Sequence, residues 1–85
     1  IAGASAEAAR AQGRALLQAN NVTQALQAYR QALAQDPDSI EALNGIAVCF
    51  DRLGRWEDAR LHYETALGID PTSAMLLNNY GLSLY

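Results

Sequence analysis

A chain of 85 residues with a net charge of −3 holds one small domain or a stretch of a longer array, since independent domains run to ~100–200 residues. Half of it is apolar (51%) and only 18% is charged, a balance that excludes a disordered tail and a coiled coil. The 6 basic residues are all arginine, which excludes a P-loop lysine, a Schiff-base lysine and a lysine-rich nucleic-acid arm, and the negative charge offers no general attraction to phosphate or anionic lipid.

The elements are all helical. Ala9, Gly13, Leu16 and Leu17 recur at three- and four-residue spacing, one face of a first helix. Asn20-Asn21 interrupts it, and Asn21 with Gln24 three residues on reads as a capping box for a second helix, whose apolar stripe is Ala25, Tyr29, Ala32 and Leu33. Pro37 ends that helix near Asp36, and Asp38 with Glu41 reads as the cap of a third helix striped by Leu43, Ile46, Ala47 and Phe50. Gly54 sits where a helix end wants a left-handed residue. A fourth helix runs from Trp56 towards Asp70, with Glu57 and Asp58 at the positive end of its dipole. A fifth starts near Ala74. No segment alternates with period two, so no sheet is expected.

The same helix pair is written twice. Shifting the chain by 34 residues aligns Glu7/Glu41, Ala8/Ala42, Ala25/Ala59, Tyr29/Tyr63, Ala32/Ala66, Leu33/Leu67, Asp36/Asp70, Pro37/Pro71 and Ser39/Ser73 as identities. A third copy begins at Ala74, with Leu77, Gly81 and Leu84 in the matching slots. The units are therefore about 6–39, 40–73 and a partial 74–85, in a single array. Gly13, Ala47, Gly81, Ala25 and Ala59 are small where paired helices cross closely, while Leu16, Phe50, Leu84, Tyr29 and Tyr63 fill the space beside them. Ile1 in place of an initiator Met is expected to open inside a longer chain.

These residues resemble the tetratricopeptide repeat (TPR) family: small residues at fixed offsets, then Ala, Tyr and Ala, then Asp-Pro. The first unit departs in having Ala9 and Gln12 where the family prefers a large aromatic and Leu. The segment Leu76-Leu77-Asn78-Asn79-Tyr80-Gly81 is similar to TPR proteins of bacterial envelope and pilus-assembly systems. The resemblance implies an all-α, antiparallel helix-turn-helix solenoid of five helices, whose first helices line a concave surface that takes extended peptides. By that resemblance the groove presents Glu7, Arg10, Arg14 and Leu17, then Glu41, Asn44, Val48 and Asp51, then Met75, Asn78, Asn79 and Leu82. One subfamily clamps a C-terminal carboxylate with basic and Asn residues from three such helices, but Gly45, Met75 and Asn79 occupy slots of that clamp here, so it is not supported.

Arg10 and Arg14 lie one turn apart, so both guanidinium groups can reach one ligand carboxylate. Asn44, Asn78 and Asn79 each offer a donor and an acceptor for a peptide backbone. The plainer alternative is a solvated helix face, with Arg10 paired to Glu7. Catalysis has no footing. His62, one turn after Asp58, has no nucleophile or pocket nearby in sequence, and Cys49 has no ligand-spaced partner. No cofactor or metal is expected, Cys49 reads as a buried thiol, and Trp56, aligned with Val22, as a core residue. The longest uncharged stretches, Ala15–Tyr29 and Pro71–Tyr85, are too rich in Asn, Gln, Ser and Gly to insert in a bilayer.

The reading is thus a non-catalytic scaffold or adaptor that binds a protein or peptide in its groove. The alternative is a structural segment that self-associates or stacks onto a longer solenoid. From Thr72 to Tyr85 there is no charge, and Leu77, Tyr80 and Leu84 are expected to make the fragment a homodimer through its last helix. An all-arginine basic set and 17 alanines suit a GC-rich bacterial genome; the compartment stays open between cytoplasm and periplasm.

Overall fold

A computed structural model describes residues 2–84, with side chains from Ala6 onward; Ile1 and Tyr85 lie outside the described residues. Five helices follow one another: α1 (Ala2–Gln18), α2 (Val22–Gln35), α3 (Ile40–Arg52), α4 (Trp56–Ile69) and α5 (Ala74–Leu84), with no strand among the described residues. Three- and four-residue connections leave each helix no choice but to run back along its predecessor. Each packs on the next, and α1 also touches α3, as α3 touches α5. The odd helices therefore form one row and the even helices the other, in an all-α helix-turn-helix solenoid of the expected kind.

The helix ends show how local chemistry sets this path. Asn20 takes φ 63° and Gly54 φ 75°, both left-handed, one repeat apart. At each, the chain closes with the same pair of bonds. Asn21 N donates to Leu16 O (2.8 Å) and Asn20 N to Leu17 O (3.0 Å); Arg55 N donates to Phe50 O (2.8 Å) and Gly54 N to Asp51 O (3.1 Å). This is the Schellman closure, and Asn and Gly are the residues that tolerate it. The expected capping by Asn21 is thereby corrected: its side chain makes no cap bond, because the residue is spent on ending α1. Nor does Asp38 cap α3. Ser39 does, its Oγ accepting from Ala42 N (3.1 Å), and Ser73 repeats this at α5 with Leu76 N (3.3 Å).

The core runs along the seam between the two rows. Ala25, Ala32, Ala42, Ile46, Ala47, Ala59, Ala66 and Leu76 are fully buried, with Tyr29, Tyr63 and Phe50. Tyr29 sets the spacing of the first junction. Its ring lies against the backbone of Gly13 on α1 and of Gly45 on α3, so close that a methyl group on either would stand 2.8 Å or 2.5 Å from ring atoms. Phe50 is closed over by Arg30 and Arg55, whose guanidinium carbons lie 5.7 and 5.0 Å from the ring centre. Two sequence expectations fail at the far end. Space is open over Gly81, because among the described residues no helix crosses there. Trp56 is 60% exposed, whereas Val22 in the aligned slot is half-buried against the core.

Gly45→Ala should therefore destabilise the fold although alanine is the better helix former. Overpacking costs ~1–3 kcal/mol, against roughly 0.5–1 kcal/mol gained in helix propensity. Thermal unfolding followed by circular dichroism should show a lowered Tm; an unchanged or raised Tm would mean the Tyr29 ring has room to move.

Candidate peptide-binding face

The row α1–α3–α5 carries all twelve residues expected to line the groove: Glu7, Arg10, Arg14 and Leu17 on α1, Glu41, Asn44, Val48 and Asp51 on α3, and Met75, Asn78, Asn79 and Leu82 on α5. Helical spacing puts them on that row because positions three, four and seven apart share a face. The structure joins several of them across helix boundaries.

At the α1–α3 end, charges are matched internally. Arg10 donates to Glu7 Oε2 at 2.8 Å and lies 3.6 Å from Asp36 and 3.7 Å from Glu41. Arg14 is paired with Glu41 and stands 3.8 Å from Glu7. Three carboxylates of the chain itself, Glu7, Asp36 and Glu41, lie within reach of the two guanidiniums, so an external carboxylate has to compete with them. Arg10 is left 17% exposed and Arg14 45%. Arg10, by donating a hydrogen bond and by its charge, holds the Glu7 carboxyl below the usual carboxylate range.

In the middle, Asn79 Nδ2 donates to Asn44 Oδ1 at 2.9 Å, bridging α5 to α3, while Asn78 stays exposed. Asp51 is fully engaged: Tyr63 donates to one oxygen (3.0 Å) and Ser83 to the other (2.6 Å). Burial, then the bond to Asp51, pushes the Tyr63 hydroxyl's pKa up. Leu17 lends its backbone carbonyl to Arg52 (3.0 Å).

At the α5 end the surface turns apolar. Asp51, Trp56, Leu82, Ser83 and Leu84 line an open cleft of about 670 Å³. A smaller hollow of about 200 Å³, lined by Val48, Asp51, Arg52, Tyr63, Asn79 and Leu82, adjoins it. Sequence reasoning missed this cleft. The signal was present in a tryptophan standing where the other unit has valine, next to an uncharged last helix. Of the three residues expected to drive self-association, Leu77 and Leu84 are exposed, but Tyr80 is half-buried: its ring stacks on Tyr63 (5.4 Å, 25°) and its hydroxyl donates to Glu64 (2.9 Å).

Other chemistry is thin. His62 Nδ1 donates to the backbone carbonyl of Asp58 (2.8 Å), while the Asp58 carboxylate pairs with Arg55 (2.7 Å), so no Asp–His couple forms. Cys49 is fully buried, and burial pushes its thiol up to about 11, leaving it without thiolate character at neutral pH. Among the described residues no cluster of three metal-ligating side chains occurs, and no helix is long and apolar enough to cross a membrane.

A family model described as tetratricopeptide repeat matches residues 10–74. The chain belongs to the tetratricopeptide repeat family. It is 40% identical over 73 residues to the type IV pilus assembly protein PilF of Pseudomonas aeruginosa, covering 86% of this chain and 29% of that protein. It is 38% identical over 71 residues to protein y4yS of Sinorhizobium fredii, covering 84% of this chain and 39% of that one. The chain thus spans about a third of the length of these curated relatives. A solved structure of Pseudomonas aeruginosa PilF superposes with a TM-score of 0.92 at 36% identity, covering 99% of this chain and 38% of that one. The Arabidopsis OM64 TPR domain superposes at 0.87 with 21% identity, covering 95% and 67%, a likeness of fold.

The ion-pair end should be sensitive to acid and salt. Because Glu7 is held below its ordinary value of 4.5, its contribution is complete above that pH and is lost as pH falls through its lowered folded value. Unfolding curves between about pH 3 and 6 should show a stability loss at the acid end that is smaller in Glu7→Gln. Raised salt should shrink the difference. Identical pH profiles for the two chains would show that the Arg10–Glu7 pair adds nothing.

Proposed function

We propose that this chain is a non-catalytic protein-interaction module that holds an extended peptide along the face made by α1, α3 and α5. The observation that carries this is the ordered change of chemistry along one continuous row: matched charges, then amides, then an apolar cleft beside Trp56. Membership of a family whose repeats generally serve protein–protein contacts supports it. Similarity to a pilus assembly protein supports a role in assembling a larger structure.

The face specifies its ligand. An acidic group can reach Arg14 only by displacing Glu41, and a large apolar side chain fits the cleft of Trp56, Leu82 and Leu84. The preferred peptide therefore carries a carboxylate at one end and an aliphatic or aromatic residue at the other. Asn44, Asn78 and Asn79 serve its backbone. With few anchors and a short row, affinity is expected on the order of 10–100 μM.

Titration of such peptides, read by chemical shifts and by emission of the sole tryptophan, tests the reading. Glu41→Gln should tighten binding a few-fold by freeing Arg14, while Arg14→Glu should abolish the preference for acidic peptides. No shift at Arg14, Asn44 or Asn78, together with unchanged Trp56 emission, would sink it.

A further inference from the structure

We propose that Arg52, the last residue of α3, reads a carboxylate in the middle of the bound peptide, beside the hollow lined by Val48, Asn79 and Leu82. The proposal rests on the peptide reading of this face and adds to it a second carboxylate position, apart from Arg14. The six arginines sort by partner. Arg10 and Arg14 pair with Glu7 and Glu41, Arg55 with Asp58 and Arg60 with Glu57. Among the described residues, Arg30 and Arg52 have no carboxylate at ion-pair distance. Arg30 belongs to α2, in the other row, where its guanidinium covers Phe50. On the row of α1, α3 and α5, Arg52 is therefore the exposed cation that the described residues leave unmatched.

Its guanidinium is held without being used up. Nη1 donates to the backbone carbonyl of Leu17 on α1 at 3.0 Å. A guanidinium has five N–H groups, and engaging Nη1 leaves the edge formed by Nε and Nη2, which matches the two oxygens of a carboxylate. The tether also removes part of the side-chain freedom that a long arginine otherwise gives up on binding. At Arg14 an acidic group has to displace Glu41, whereas at Arg52 no carboxylate of the chain has to leave.

The surroundings fit one carboxylate on a peptide. Arg52 lies one turn from Val48, and both line a hollow of about 200 Å³ with Asp51, Tyr63, Asn79 and Leu82. Asn79 gives its Nδ2 to Asn44 Oδ1, which leaves Asn79 Oδ1 as an acceptor and Asn44 Nδ2 as a donor for a peptide bond laid beside the guanidinium. Asp51 is the opposing charge, with its oxygens turned to Tyr63 (3.0 Å) and Ser83 (2.6 Å). It trims the attraction, so a carboxylate here adds about three- to tenfold in affinity, as an ion pair on a solvated face does. A single cation on a chain of net charge −3 does not suit a polyphosphate backbone. The carboxylate belongs to an Asp or Glu side chain or to the peptide's own C-terminus.

Peptides identical but for Glu or Gln at a central position, each with a free or an amidated C-terminus, separate these sources. They are titrated into the whole chain and into Arg52→Gln and Arg60→Gln, the latter removing the same charge from α4. One acidic form should bind the unmodified chain about three- to tenfold more tightly than its neutral counterpart and move the Arg52 Nε–H resonance. In Arg52→Gln the gap should fall below about twofold while the neutral peptide binds as before, and in Arg60→Gln the gap should persist. Added salt should narrow it. A gap that survives Arg52→Gln, or closes equally in Arg60→Gln, overturns the proposal. So does an equal loss for acidic and neutral peptides, which would make Arg52 only a brace between α1 and α3. The resonance needs no variant: if Asn44 and Asn78 respond to the acidic peptide and the Arg52 Nε–H does not, the carboxylate position is wrong and the peptide face stands. If no residue of the row responds, both fall.

Discussion

The solenoid depends on one aromatic ring held between two glycines. Tyr29 occupies the space where side chains of α1 and α3 would otherwise stand, and the chain yields it by having none at Gly13 and Gly45. The ring thereby fixes how near the first odd helix comes to the second. That spacing in turn brings Arg14 of α1 onto Glu41 of α3 and Arg10 towards Glu41 and Asp36. A close-packed interior transmits such a constraint because it has no voids to absorb it. The electrostatics of the face are thus a consequence of packing beneath it.

The next junction uses the same tyrosine differently. Tyr63 is aligned with Tyr29, but its flanking slots hold Ala47 and Asn79 in place of the glycines. The close approach is replaced by bonding: Tyr63 stacks on Tyr80 and donates to Asp51, and Asp51 is also held by Ser83. Asn79 joins Asn44. A seam sealed by shape on one side of α3 is sealed by hydrogen bonds on the other. Buried hydroxyl and amide groups carry a desolvation cost that only complete pairing offsets, and among the described residues no buried side-chain polar atom is left without a partner.

The helix order was legible in the sequence because it rests on signals that act locally: Asp-Pro, Gly54 and a 3.6-residue apolar period. The repeat was legible because Tyr, Ala and Asp-Pro return together after 34 residues. The errors came from features that need a neighbour distant in sequence. Arg14 and Glu41 are 27 residues apart, so no local reading could pair them. The slot of Trp56 was inferred from Val22, yet burial belongs to what lies over a position and does not travel with an alignment. At the caps the error was of competition: Asn21 suits both the end of one helix and the start of the next, and the Schellman bonds to Leu16 and Leu17 decided for the former.

The same principle governs α5. Its inward residues behave as their counterparts on α3 do, Leu76 being as buried as Ala42, because α3 and α4 lie against that side. Its outward residues do not, although Leu77 equals Leu43 in chemistry and Leu84 stands in for Phe50. Identical side chains differ in exposure because stabilisation by burial is a property of the pair of surfaces, scaling with the apolar area both remove from water. A repeat sequence therefore encodes each interface as two halves on separate helices. What α5 carries on its outer side is one half of the α3–α4 interface, with a glycine at the point of closest approach.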